Sequence, residues 1–439
     1  MTKVEPTDSP GSTRFWVGVI VVALVALVVR VAYIWFWRRG LTVGGDSRYY
    51  HEGANLLAEG KGFIDPLSFL DAGTTVPAAD HPPMYTVYLA AFSVVGLTSA
   101  TAHMLASAGI GVLTVVITGL VGRALGGPRL GLVAAALAAV YPNLWAYDGA
   151  LESETIAQLA VALCLLTAYV WWRAPTPSRA VLLGAAVALG ALTRAEMVLL
   201  TVLLVVPLVS FRSGMPRRDR FRHLMAAWIA VALLIAPWCI YNLTRFERPT
   251  LLSTGFGVAL DSSSCDDAYY GPFTGYWSRS CVLAVVDRSG LADTADRSVL
   301  EAVHRDNATE YIRGHMSRLP IVTLARVGRV TGLWQLRQQA ALDNFVGGRE
   351  RWVAWSAWWT FFAVAILSIA GAVVLRQRGI PVFPLLSLPV LALITTVVFF
   401  GLVRYRAIAE VSLVLLAAVA VDAAITVLTE RRSRSVASP

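Results

Sequence analysis

Phe15-Trp16-Val17-Gly18-Val19-Ile20-Val21-Val22-Ala23-Leu24-Val25-Ala26-Leu27-Val28-Val29-Arg30-Val31-Ala32-Tyr33-Ile34-Trp35-Phe36-Trp37 decides the class of fold. At 1.5 Å per helical residue this run is long enough to cross a hydrocarbon core of about 30 Å. It is too long for the apolar part of a signal peptide, and no small-residue cleavage site follows, so it is expected to stay as an anchor. Its aromatic end (Tyr33, Trp35, Phe36, Trp37) suits a membrane interface. The polar tail Met1–Thr13 precedes it, and a polar excursion opening with Gly44-Gly45-Asp46-Ser47-Arg48-Tyr49-Tyr50-His51-Glu52 follows it.

Similar runs recur along the chain. With 56% hydrophobic residues and a mean hydropathy of +0.62, 439 residues hold more apolar material than one soluble core needs. The expected fold is an all-α polytopic membrane protein. Spans are expected at 15–37, 102–125, 131–147, 155–172, 180–192, 197–210, 224–243, 352–375, 381–400 and 407–428, about ten in all. The net charge of +9 does not point to nucleic acid, because the arginines stand at the ends of apolar runs as cytoplasmic anchors do. Arg123, Arg129, Arg173, Arg179 and the group Arg212, Arg217, Arg218, Arg220, Arg222 mark one side, as do Arg431, Arg432 and Arg434. Both termini are therefore expected in the cytoplasm.

This places a first outer loop at 38–101, inside which residues 83–95 are short enough to lie as a helix on the membrane surface. Residues 1–14 and 429–439 form cytoplasmic tails. Residues 15–243 are expected to form an N-terminal transmembrane module, 244–351 a large extracytoplasmic segment, and 352–428 the last three spans. No internal repeat is visible. Cys265 and Cys281 share the large segment; in an oxidising compartment they can bridge, closing a loop worth roughly 3 kcal/mol, and two unpaired thiols are the alternative.

The charged candidates converge on the outer side. From Ser47 to Glu59, Tyr50, Ala54 and Leu57 recur at helical period, and Gly60 and Gly62 stop the pattern. Asp46 falls at the cap of that helix, where accepting backbone N–H bonds is a sufficient role by itself. Glu152 and Glu154 precede a span and are favoured by its dipole. Arg194 and Glu196 lie at the tip of a tight hairpin. Arg404 and Arg406 flank Tyr405 at the start of the last span, on the side where the positive-inside rule does not put arginine, and guanidinium grips phosphate in a bidentate way. Glu410, four residues past Arg406, can pair with it. His81 has no second histidine at ligand spacing, so no metal site is indicated.

Taken together, Asp46 in the first outer loop, His81-Pro82-Pro83-Met84-Tyr85, Ser153-Glu154-Thr155, Leu192-Thr193-Arg194-Ala195-Glu196 and Arg404-Tyr405-Arg406 resemble the GT-C-type glycosyltransferases of the protein mannosyltransferase and aminoarabinose transferase superfamily, in their bacterial branch. The resemblance implies an inverting membrane glycosyltransferase of the bacterial plasma membrane, with its active site outside. Its partners would be a sugar carried on a polyprenyl phosphate, a cell-envelope acceptor and membrane lipids. Asp46 would be the general base. Arg404 and Arg406, with Arg194, would bind the lipid phosphate, and Glu154 would orient the acceptor or the base. Glu152, Glu196, His81 and Tyr405 would line the substrate site. A lipid phosphate is already a good leaving group, so no cofactor is required; a divalent metal is compatible with the scheme but not indicated. The alternative is a transporter or flippase for an anionic lipid or solute. It would gather its charges near the bilayer midplane on broken helices, whereas these crowd the outer ends.

Overall fold

The computed structural model describes residues 10–41, 44–291 and 295–437. The tail 1–9, and the side chains of Arg431, Arg432 and Arg434, lie outside the described residues. Among the described residues there is no strand, only an isolated bridge between Ile64 and Pro77.

Among the described residues, six helices are long and apolar enough to span a membrane: Thr13–Arg38, Ala100–Gly126, Glu154–Arg173, Arg217–Arg245, Arg351–Gln377 and Val403–Glu430. A seventh candidate is broken. Pro128–Val140 and Pro142–Gly149 meet at 68°, because Pro142 cannot continue the ladder of the preceding helix. The other three expected spans are shorter apolar helices at Pro177–Ala191, Ala195–Ser210 and Phe383–Val398. The count of ten therefore resolves into six full spans, one bent span and three short segments.

Helix packing relies on small residues, which let backbones approach where lipid offers no hydrophobic drive. A Cβ added at Gly371 would collide with the carbonyl of Leu416, and one at Gly184 with that of Ala227. The buried cluster these helices enclose is rich in alanine, with Trp171, Leu183, Leu204, Leu388 and Leu415 filling the wider gaps. Charge is buried among these helices as well. Arg30 donates to Asp148 at 2.6 Å, and the two side chains are 0% and 1% exposed. Gly111 leaves the room for this pair, since any Cβ there would run into the Asp148 carboxylate.

The described residues between 246 and 350 fold as helices of at most 18 residues, stapled by the Cys265–Cys281 disulfide. A buried Asp261–His304 pair at 2.8 Å adds to this, with Asn307 donating to the other Asp261 oxygen at 2.6 Å. The segment grips the turn that leads into the last helix. Arg326 donates to the carbonyls of Val397 and Val398 at 2.7 and 3.1 Å, Ser263 to that of Phe399 at 2.8 Å, and the Gly401 N–H reaches the Gly275 carbonyl at 2.8 Å. That turn places Val403, and with it Arg404.

Candidate active site

Five loops and helix ends meet at the end of the bundle opposite the arginine-rich turns. The first contribution is the Gly45–Ala58 helix. Its N-cap is Gly44, with extended backbone and no side-chain cap bond, so Asp46 sits in the first turn and does not cap. The carboxylate is drawn across the site instead, to Arg404 Nη1 at 2.7 Å. Gly60 and Gly62, at φ +80° and +74°, end the segment as the sequence indicates.

His81 is held between the rings of Tyr49 and Tyr50, at 5.2 and 4.9 Å between centroids, with its Nε2 3.7 Å from Asp46 Oδ1. Its turn is fixed from both sides. Ser253 donates to the Asp80 carbonyl at 2.7 Å, and the Met84 N–H reaches the Leu192 carbonyl at 2.9 Å, next to the Arg194 turn. Residues 83–95 form a single helix, Met84–Val94, of 11 residues, too short to span.

The turn from Asp148 to Ser153 brings Glu152 and Glu154. Arg38 donates to the Gly149 carbonyl at 2.8 Å, Ser47 to that of Ala150 at 2.6 Å, and Thr155 to Asp148 at 3.0 Å. Within it Leu151 has φ +55°, a conformation that a buried leucine keeps only when its surroundings hold it.

Arg404 is the hub. Besides Asp46 it grips Glu154 with Nε at 2.9 Å and Nη2 at 3.2 Å, and its Nε lies 3.0 Å from Glu152. Arg194 pairs with Glu154 and, at 2.7 Å, with Glu196. Its guanidinium stands 5.6 Å from the Tyr405 ring, which itself packs against Phe400 at 5.1 Å. Asp46, His81, Glu152, Glu154, Arg194, Glu196, Arg404 and Tyr405 thus form one cluster.

Arg406 does not join it. Two residues along a helix turn the side chain by about 200°, and Arg406 points into the bundle. There it pairs with Glu410 at 2.5 Å, donates to the Val330 carbonyl at 2.7 Å and lies 3.5 Å from the Phe361 ring. Tyr141 donates to the other Glu410 oxygen at 2.7 Å. The expected pair with Glu410 is present, and it holds the Arg406 guanidinium inside the bundle, away from the cluster around Arg404. Sequence reasoning also missed Arg349, a buried guanidinium 4.3 Å from the Tyr147 ring, with one N–H group unpaired. Standing just before a span, it reads as another interfacial anchor, and only its glycine neighbours Gly347 and Gly348 hint at a tight turn.

The electrostatics separate the carboxylates. Burial disfavours the charge on Asp46, but Arg404 and then His81 more than offset it, and the carboxyl sits well below its usual range. Glu152 goes the other way. Burial, aided by Glu154 and Asp46, outweighs Arg404 and Arg349 and raises it to about 7. Exposure separates them too: the Asp46 side chain is 41% exposed, that of Glu152 9% and that of Glu154 0%. Among the described residues, no group of three His, Cys, Asp or Glu side chains is arranged to hold a metal ion.

Residues 80–241 match the model of the family described as dolichyl-phosphate-mannose-protein mannosyltransferase. Among solved structures, the chain is similar to the archaeal oligosaccharyltransferase AglB from Archaeoglobus fulgidus, in complex with an inhibitory peptide and a dolichol-phosphate: 18% identity, TM-score 0.57, 97% of this chain and 52% of that one. It is also similar to the Archaeoglobus fulgidus oligosaccharyltransferase in complex with Zn and sulfate, at 15% identity, TM-score 0.57, 94% of this chain and 50% of that one. ArnT from Cupriavidus metallidurans bound to undecaprenyl phosphate overlaps 93% of this chain and 78% of its own, at 15% identity and TM-score 0.42. No curated protein matches at the same significance. The chain spans about half the length of the oligosaccharyltransferases it matches. Its fold is the one that the Archaeoglobus fulgidus oligosaccharyltransferases carry over the matched half of their length.

Proposed function

We propose that the chain is an inverting glycosyltransferase moving a sugar from a polyprenyl-phosphate donor to a hydroxyl-bearing envelope acceptor on the outer face of a bacterial plasma membrane. The observation that carries this reading is the hub itself: a guanidinium at the mouth of the bundle, ringed by carboxylates of which one, Asp46, is open to an incoming hydroxyl. The matched family and the shared fold support the reaction class.

Asp46 takes the proton from the acceptor hydroxyl, whose oxygen forms a bond to the anomeric carbon from the face opposite the phosphate. The bond from that carbon to the phosphate oxygen breaks, and the electron pair leaves with the polyprenyl phosphate. Arg404, with Arg194 behind it, neutralises the departing anion; interactions of this kind typically contribute 10²–10³ in rate. Glu154 holds both guanidiniums in register, and His81 and Tyr405 wall the acceptor side. Because the leaving group is activated and anchored in the membrane, positioning and charge neutralisation suffice without a cofactor.

Mass spectrometry of lipids co-purifying with the full-length protein tests this, comparing wild type with Arg404→Ala. Wild type is expected to retain a polyprenyl phosphate or its glycosylated form and the variant to lose it. Bulk phospholipid alone in both would overturn the reading.

A further inference from the structure

Each nitrogen of Arg404 already faces a carboxylate. Nη1 is on Asp46 at 2.7 Å, Nη2 on Glu154 at 3.2 Å, and Nε on Glu154 at 2.9 Å with Glu152 3.0 Å away. A phosphate that takes a two-nitrogen grip on this guanidinium competes for it with these carboxylates. Glu154 holds two nitrogens, is also tied to Arg194 and is fully buried. Glu152 is nearly as enclosed. Asp46 holds one nitrogen, is the most exposed of the three, and stands in the first turn of a helix whose cap makes no side-chain bond. It is the ligand the hub can most easily give up.

We infer that Asp46 occupies the donor-phosphate seat on Arg404 in the free protein, and that a polyprenyl phosphate takes its place, so that arrival of the donor releases the base. This rests on the glycosyltransferase reading given above. The exchange itself makes and breaks no covalent bond: one anion replaces another on Nη1. Its chemical consequence follows from the pairing. A carboxylate clamped by guanidinium is ionised but a poor proton acceptor; freed, it regains its basicity when a leaving group is in place. Donor binding therefore precedes productive acceptor binding.

The test is titration of the full-length protein in nanodiscs with undecaprenyl phosphate, for wild type, Asp46→Asn, Asp46→Ala, Glu152→Gln and Arg404→Ala. With no bond to Asp46 left to break, both Asp46 variants are expected to bind roughly tenfold tighter than wild type, the scale of one charged hydrogen bond. Glu152→Gln removes a carboxylate from Nε and leaves Nη1 occupied, so its gain is smaller. Hydrogen exchange of residues 46–50 in wild type is expected to rise when undecaprenyl phosphate is added, a change that removal of a nearby negative charge does not explain. Unchanged or weaker binding by both Asp46 variants, or unaltered exchange at 46–50, overturns the inference. If Arg404→Ala loses the lipid while the Asp46 variants match wild type, the donor site stands and only the exchange fails. If folded wild type does not bind undecaprenyl phosphate, the glycosyltransferase reading falls and this inference with it.

Discussion

Arg404 and Arg406 stand two positions apart and do unlike work. Arg406 is locked to Glu410 inside the bundle, and truncating one partner of a buried pair leaves the other charge uncompensated, at a cost of about 3–5 kcal/mol. Arg406→Ala is therefore expected to lower the unfolding midpoint sharply while the folded fraction keeps its affinity for undecaprenyl phosphate. Arg404→Ala is expected to abolish that affinity and to cut transfer by about 10²–10³. Thermal unfolding followed by lipid titration separates the two, and loss of lipid binding in folded Arg406→Ala would restore it to the phosphate site. Glu152 gives a second prediction. Its carboxyl is raised to about 7 in the folded protein against about 4.3 unfolded. The folded state then binds more protons between those values, so this group's contribution to stability is full below pH 4 and fades as pH rises through 7. Asp46, depressed, adds no slope in that window. The unfolding midpoint of Glu152→Gln should accordingly fall less between pH 5 and 8 than that of wild type; parallel curves would reject the assignment. Eight of the nine substrate-site residues read from the sequence do gather, because motif order and topology bring them to one end. Arg406 does not, because helical phase turns it inward, a distinction that membrane-side bookkeeping ignores.

At the level of elements, the apolar runs were legible and their continuity was not. Run length and flanking arginines locate the six long spans, but a bend such as that between Pro128–Val140 and Pro142–Gly149 depends on tertiary partners for the freed backbone groups. Asn143 shows how this is met: its amide donates to the Ala357 carbonyl at 3.0 Å, while its own carbonyl accepts from Gln158 at 2.9 Å. The same bend delivers Asp148 to Arg30, and so orients the turn that carries Glu152 and Glu154. Asp148 stands only four residues before Glu152 in the chain, yet the structure buries it 2.6 Å from a span arginine. Gly111 is the element's weak point. Gly111→Leu is expected to push the Arg30–Asp148 pair apart, cost about 3 kcal/mol or more and lower transfer with it. Gly109→Leu, where a Cβ would meet open space, should do neither. Melting curves and transfer assays on the two variants decide; equal behaviour would mean that the pair does not position the turn.

At the scale of the whole molecule, polar groups segregate to two ends. Arg129 and Arg378 both turn to Asp422 in the last helix, at 2.6 and 3.9 Å, which gathers the turns rich in arginine at one end. Asp46, His81, Glu152, Arg194 and Arg404 gather at the other. The positive-inside rule then predicts that the arginine end is cytoplasmic and that the candidate site faces out. The disulfide gives an independent line to the same orientation. Cys265 and Cys281 belong to the segment that grips the turn before Arg404, and a structural disulfide persists on the oxidising side of a plasma membrane and not in the cytosol. Both lines can be checked in one strain carrying Cys164→Ser and Cys239→Ser. In intact cells, an impermeant maleimide should label Cys265 and Cys281 only after treatment with an impermeant reductant. With Ser433→Cys added, and those two cysteines left oxidised, it should label the tail only after the membrane is opened. Labelling of the tail in intact cells, with Cys265 and Cys281 reached only after permeabilisation, would invert the molecule. A donor exposed to the periplasm would then never meet Arg404.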